Sequence, residues 1–458
     1  MLTGYFKFLP LSWRMRLEDS ATLQAILANT GWLFLDRMVR MGVGLFVGVW
    51  VARYLGPEQF GSLNYALAFT TLFGTLAGLG LDGIVIRDLV WHPASQGETL
   101  GSALVLKAVG GLATLGLALT AIFLVRPHDP TAHWLVGILA AQAVFQALDT
   151  IDLWFQSRVE SRYTVWARNS AFMVVALIKI ILILVRAPIV AFAWAMLVET
   201  ALGALGLTLA YRLRGLSWGK WRFNFNRVRT LLRESWPLIF SGLMIMLYMR
   251  IDQVMLGQMV DDKAVGIYSA AVRLAEIWNF IPMIIAASVF PALVRSRELG
   301  EGGHRQRIQQ FYDLNAVLAY IISFPVALMA PLLIAGLYGN AYQGAEIILG
   351  IYIWSSIFVF LGVARGQYLV TEGLLKFSLL ATILGAGTNI GLNIFLIPRY
   401  QGVGAAIATV ISYFISGFLS SFFYRPLVPT GLMQTKALLA PIRYLYRSIS
   451  TQDASLGR

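Results

Sequence analysis

The sequence predicts an all-α polytopic membrane protein of about twelve transmembrane helices, built as two six-helix bundles related by a pseudo-two-fold axis along the membrane normal. Three observations predict it. Hydrophobic residues make up 58% of the chain and charged residues only 13%, with a mean hydropathy of +0.70, whereas soluble domains carry about 25% charged residues. Apolar runs recur from residue 28 to residue 424 with no soluble domain between them, each near the roughly 20 residues a helix needs to cross hydrocarbon. The chain also echoes itself. ARYLGPEQFGSLNYALAF at 52–69 and IDQVMLGQMVDDKAVGIYSAAVRL at 251–274 share a Leu-Gly, a short polar turn and then a glycine, so that Trp32 aligns with Trp236 and Gly61 with Gly266.

Residues 1–27 mix aromatics with Lys7, Arg14 and Arg16. No cleavage site follows a short apolar core, so a basic segment on the inner leaflet is expected rather than a removable signal. Six spans follow, near 30–52, 60–82, 100–125, 132–157, 165–186 and 188–211, making a first bundle over 28–211. The first span carries Asp36, Arg37 and Arg40; Asp36 and Arg40 lie four apart on one face and are expected to pair. Gly44 with Gly48, and Gly74 with Gly78, have the spacing that lets helices approach closely. Residues 82–99, with Asp82, Arg87, Asp88 and Glu98, form an interfacial elbow. Span three holds Lys107. Span four holds Gln142, Gln146, Asp149, Asp152 and Gln156 in one polar stripe, which lipid cannot satisfy and which must face protein or water. Lys179 in span five and Glu199 in span six suit a buried pair.

The basic run 212–234 divides the halves, and attraction to anionic inner-leaflet lipids explains it better than RNA contacts do. The second bundle, 235–425, has spans near 235–258, 265–291, 310–337, 342–370, 375–397 and 402–424. Arg250 and Asp252 lie deep in span seven, and Arg273 and Glu276 in span eight. Prolines at 282, 291, 325 and 331 allow bends where neighbours satisfy the freed backbone groups. Glu346, Arg365 and Gln367 lie in or near span ten, and Asn389 and Asn393 in span eleven. The tail, 426–458, contains the amphipathic basic stretch KALLAPIRYLYR, suited to the inner leaflet.

Charge distribution orients this scheme. The termini and even-numbered connections hold 24 Lys and Arg against 5 on the other face, which by the positive-inside rule places both termini in the cytoplasm and the chain in the cytoplasmic membrane. The net charge of +13 is thereby explained without nucleic acid. There is no cysteine, and the four histidines are scattered at loops and segment ends, so neither disulfides nor a zinc cluster is expected, and no cofactor.

Within the spans the basic residues are Arg37, Arg40, Lys107, Lys179, Arg250, Arg273 and Arg365. The acids are Asp36, Asp149, Asp152, Glu199, Asp252, Glu276 and Glu346. Internal pairing can consume many of them. Parallel repeats place their site between the halves near the midplane, and a pocket that keeps arginines accessible attracts anions, phosphate above all, through the planar donor fork.

The paired motifs resemble those of the polysaccharide-biosynthesis flippases of the multidrug/oligosaccharidyl-lipid/polysaccharide exporter superfamily, over roughly residues 25–425. The resemblance implies translocation of a polyprenyl-diphosphate-linked oligosaccharide from the cytoplasmic to the outer leaflet by alternating access around a cationic cavity, for surface polysaccharide of the O-antigen or lipopolysaccharide kind. Carried onto this chain, it suggests Arg37, Arg40, Arg250, Arg273 and Arg365 for the diphosphate head group. Asp36, Asp149, Asp152, Asp252 and Glu276 are the candidates for Na⁺ or H⁺ coupling, and other polysaccharide-assembly proteins are expected partners. A cation-coupled exporter of small molecules from the same superfamily is the rival. A membrane polymerase or ligase is disfavoured, because its acid/base chemistry needs a substantial outer loop, and no outward connection exceeds about ten residues. No Ser/His/Asp arrangement is visible either.

Overall fold

A segment surrounded by hydrocarbon has to satisfy its own backbone N–H and C=O groups, and a helix does this within the segment. The computed structural model describes residues 21–443 except 297–299 and 375, with side chains described from Met38 onward save at a few positions between 291 and 301. Among the described residues there is no strand. The helices are α1 (Ala21–Gly78), α2 (Asp82–Trp91), α3 (Gln96–Val125), α4 (Pro130–Phe145), α5 (Thr150–Ser157), α6 (Arg162–Leu184), α7 (Ile189–Leu213) and α8 (Phe225–Met259). They continue as α9 (Asp262–Glu276), α10 (Phe280–Arg295), α11 (Gly300–Leu337), α12 (Ala345–Tyr352), α13 (Ser355–Thr371), α14 (Lys376–Gly417) and α15 (Val428–Leu438).

Joined across their short 3₁₀ links, ten described segments are long and apolar enough to cross a membrane. Two of them are double. α1 is broken at Gly56 (φ 70°, ψ 170°), just before Pro57, and α14 at Gln401 (φ 48°, ψ −129°). The Asn389–Thr409 hydrogen bond shows that α14 folds back on itself there. Counted by half, the segments number twelve, the expected figure. The boundaries differ where polar residues continue a helix: α8 begins at Phe225, ten residues before the expected start of the seventh span.

The chain divides into two compact units. Unit 1 comprises residues up to Val51 and Phe73–Gly242; unit 2 comprises Ala52–Leu72 and everything from Leu243. In unit 1, α3 packs on α4, α4 on α7 and α6 on α7. The start of α8 also belongs here. Arg222 N–H donates to Gly97 O at 3.0 Å, Asn224 holds Glu98 at 2.9 Å, and Arg227 reaches Asp88 at 2.5 Å. The basic run thus spends some of its charge on the acidic elbow.

In unit 2, α11 packs on α12, α13 and α15, and α13 on α14. The two echoed motifs meet here. A Cβ on Gly61 would lie 1.6 Å from Asp262 O, and one on Gly266 would lie 1.9 Å from Pro57 O. The contact is reciprocal, since each glycine faces the residue four positions before the other. Only hydrogen side chains permit backbones so close. Ser62 Oγ–Asp262 Oδ2 (2.6 Å), Gln258–Tyr65 (2.5 Å) and Tyr342 Oη–Ala52 O (2.7 Å) secure the crossing.

Candidate functional site

Polar side chains gather inside the bundle of each unit. In unit 1, Arg40 on α1 keeps 30% of its side chain accessible. Its Nη1 lies 3.9 Å from Glu199 Oε1, and its guanidinium stands 5.2 Å from the centre of the Phe172 ring. The other oxygen of Glu199 is 3.4 Å from Lys179 Nζ. One carboxylate on α7 therefore faces cations from α1 and α6, and the expected Lys179–Glu199 pair is present. The side chains of Asp36 and Arg37 lie outside the described residues, and the expected Asp36–Arg40 pairing with them.

The stripe on the fourth span is gathered by a 3₁₀ turn, Gln146–Asp149, between α4 and α5. Arg168 on α6 bridges its two acids, 2.9 Å from Asp149 Oδ1 and 3.2 Å from Asp152 Oδ2. Asp152 is buried and also accepts from Thr164 Oγ1 at 2.6 Å and Gln156 Nε2 at 3.0 Å. At the top of the Gln142 face, Thr200 donates to Gln142 Oε1 at 3.0 Å. Lys107, only 3% exposed, ends on Asp82 Oδ1 at 2.6 Å.

In unit 2, Arg250 on α8 keeps 31% of its side chain accessible and lies 3.6 Å from Glu276 Oε2; Tyr352 donates to the other oxygen of Glu276 at 3.2 Å. Two residues along α8, Asp252 points into the bundle and is 4% exposed. It accepts from Tyr268 Oη and from Gln253 N–H at 2.8 Å, and lies 3.4 Å from Thr409 Oγ1, whose proton goes to Ala405 O at 2.9 Å. Asn389 donates to Thr409 Oγ1 at 3.3 Å and Asn393 to Asn389 Oδ1 at 2.9 Å, while Asn393 Oδ1 is buried without a partner. These side chains form a polar chain that runs from Asn393 to the Asp252 carboxylate.

Arg273, one turn before Glu276 on α9, is exposed and has no carboxylate partner among the described residues. Arg365 is different. It is 6% exposed, its Nη1 donates to Ser420 Oγ (2.6 Å) and Ser421 Oγ (3.3 Å), and its Nε is buried without a partner. Among the described residues no carboxylate pairs with it. Ser421 donates in turn to Gln434 Oε1 on α15 at 2.9 Å.

The structure thus brings Arg250, Asp252 and Glu276 together, sets Arg365 in a separate hydroxyl-lined pocket, and leaves Arg273 on an open helix face. Sequence reasoning missed Arg168 as the bridge for Asp149 and Asp152. It also missed Tyr268, Tyr352 and Thr409 around the unit 2 acids. Tyrosine and threonine read as ordinary span residues, and the only signal was the i, i+4 spacing of Asn389 and Asn393.

The chain as a whole is similar to known proteins. The family model described as "Polysaccharide biosynthesis protein" matches residues 26–297, and the MatE model matches 237–395. The chain is similar to the probable low-salt glycan biosynthesis flippase Agl15 of Haloferax volcanii, with 24% identity over 413 residues, covering 84% of this chain and 81% of that one. It is 25% identical over 395 residues to the probable flippase AglR of the same organism, covering 82% and 79%. Among solved structures, the lipid II flippase MurJ in an inward closed conformation shares the fold with a TM-score of 0.70 at 15% identity, over 92% of this chain and 93% of that one. An inward-facing multidrug resistance MATE family transporter of the MOP superfamily follows at 0.66 and 15% identity, over 89% and 98%. The family expected from the two motifs is the one found. The chain belongs to the polysaccharide biosynthesis protein family, and it shares its fold with multi-pass transporters of the MOP superfamily.

Proposed function

We propose that this transporter flips a polyprenyl-diphosphate-linked oligosaccharide from the cytoplasmic to the outer leaflet of the cytoplasmic membrane by alternating access. The observation that carries this reading is that Arg40, Arg250 and Arg273 stay accessible although they lie on segments apolar enough to span hydrocarbon. Ionisable groups at such depth face a water-filled path rather than lipid. Guanidinium groups there attract a diphosphate, whose sugar cannot cross oil while its prenyl tail can remain in it. The glycan flippases to which the chain is similar support the substrate class.

An inside-negative potential assists the outward step by about 2.3 kcal/mol per charge per 100 mV, so a doubly charged head gains roughly 4–5 kcal/mol. Of the candidate coupling acids, Asp252 has the surroundings best suited to Na⁺ or H⁺, because it is buried against hydroxyl and backbone N–H donors instead of an arginine in contact. Asp149 and Asp152 are already held by Arg168.

The test is reconstitution into liposomes with a short-chain polyprenyl-diphosphate oligosaccharide, following its appearance in the far leaflet. Arg40→Ala, Arg250→Ala and Arg273→Ala are expected to lower the rate at least tenfold with insertion and thermal stability retained. Undiminished flipping in all three, or a preference for organic cations over the anionic lipid, would favour the small-molecule exporter instead.

A further inference from the structure

In unit 1, Lys179 meets Glu199 and Ala167 meets Gly206, so α6 and α7 run antiparallel and the start of one lies beside the end of the other. A Cβ on Gly206 would stand 3.0 Å from Ala167 Cβ. The backbones are therefore close, and the larger side chains on either side of the seam wall a groove of about 390 Å³. Trp166 and Val174 from α6 and Leu209 and Leu213 from α7 line it, all of them exposed. Residues three or four apart share a helical face. Arg162, Trp166 and Ser170 accordingly form one exposed stripe on α6, and Leu205, Leu209 and Arg212 form one on α7. Since the helices are antiparallel, both stripes finish in an arginine at the same end of the groove.

Tyr163 marks that end. The guanidinium of Arg162 stands 4.8 Å from the centre of its ring and that of Arg214 stands 5.2 Å from it. Arg162 Nη2 also donates to Tyr163 Oη at 3.1 Å. Arg214 Nη2 lies 2.7 and 2.9 Å from the two oxygens of Glu160. Among the described residues Glu160 is the one carboxylate in contact with Arg162, Arg212 or Arg214, so three cations meet a single anion there. By the charge count this end lies at the cytoplasmic leaflet. An apolar trough that ends in surplus guanidinium groups is complementary to an acyl chain carrying an anionic phosphate. A zwitterionic lipid would fill the trough and leave the charge unused. We propose that the groove between α6 and α7 is a binding site for one anionic phospholipid. Its acyl chain lies along Trp166 and Leu209, and its phosphate accepts from Arg162 and Arg212. The site stands apart from the transported substrate, because neither arginine is among those assigned to the diphosphate head group.

The chain has no native cysteine, so bimane on Leu205→Cys, exposed beside the groove, reports which lipid sits there. The full chain is placed in phosphatidylcholine vesicles, and brominated phosphatidylglycerol or brominated phosphatidylcholine is titrated in as quencher. The brominated phosphatidylglycerol should reach half-maximal quenching at a mole fraction about fivefold lower or less, the gain from one arginine beside a phosphate. Arg162→Gln combined with Arg212→Gln should bring the two lipids level. Arg186→Gln, exposed at the other end of α6, should leave the preference intact. Ser170→Phe, which fills the groove and keeps both arginines, should remove it, and this variant decides if the arginine pair does not fold. Equal quenching in the parent makes the groove ordinary lipid-facing surface and overturns the site. A preference undiminished in the arginine pair or in Ser170→Phe, or lost equally in Arg186→Gln, does the same. Quenching by neither lipid would mean that a second copy covers the groove. Displacement of the phosphatidylglycerol by an equal fraction of long-chain polyprenyl phosphate would give the groove to the carrier lipid, and either result overturns the proposal.

Discussion

The ion pairs inside this protein differ in what their loss would cost. Lys107 is sealed in the bundle while its partner Asp82 reaches the surface, 66% exposed. Removing the acid leaves the buried ammonium group without the carboxylate it touches, with Asp149 acting on it only from a greater distance. Asp82→Ala is therefore expected to cost about 3–5 kcal/mol, while adding Lys107→Met to it recovers most of that, because an apolar replacement of both partners is close to neutral. Thermal unfolding in detergent of the two single variants and the double variant measures this. Arg250 and Glu276 are more open, so their substitution should register in transport more than in stability. The identities of these charges were legible in the sequence, but the partners were not. Arg40 meets Glu199 159 positions along the chain, and helical spacing carries no information about contacts at that range.

At the scale of the helix, two backbone sites set the architecture. The Gly61–Gly266 crossing leaves no room for a side chain on either helix, so Gly266→Val should destabilise unit 2 by about 3 kcal/mol or more through forced separation of the backbones. Purified yield and melting temperature read this out; a variant as stable as the parent would mean the crossing is easily opened. Gln401 is the converse. It turns α14 back with φ 48°, a conformation glycine adopts freely and other residues only at a cost. Gln401→Gly is expected to stabilise the protein by about 1 kcal/mol, provided the neighbouring Gly402 and Gly404 keep the turn; a fall in melting temperature would place the strain elsewhere. The repeat drew attention to Gly61 and Gly266 by their spacing alone. That the two copies bind each other is a tertiary fact.

For the molecule as a whole, the distribution of charge predicts orientation. Single cysteines at Lys263 and Arg305, both exposed, should be labelled by a membrane-impermeant maleimide from opposite sides of intact cells, Lys263→Cys from outside and Arg305→Cys only after permeabilisation. Labelling of both from one side would shift the span count by one and invert half of the scheme. The natural absence of cysteine removes background from this measurement.

The sequence by itself determined the class of fold, the number of spans, the duplication and the family, because hydrocarbon imposes a length and a polarity on each segment separately, and those are local properties. It also marked which ionisable groups are costly to bury. Only the tertiary structure decided how those groups are spent. Arg168 holds both acids of the polar stripe, Asp252 is turned into a ring of hydroxyls and amides, Arg365 is held by serines rather than a carboxylate, and His304 finds Glu372 68 residues away. Charge compensation is a property of distance in space, and distance in space is what a helical period of 3.6 residues does not encode.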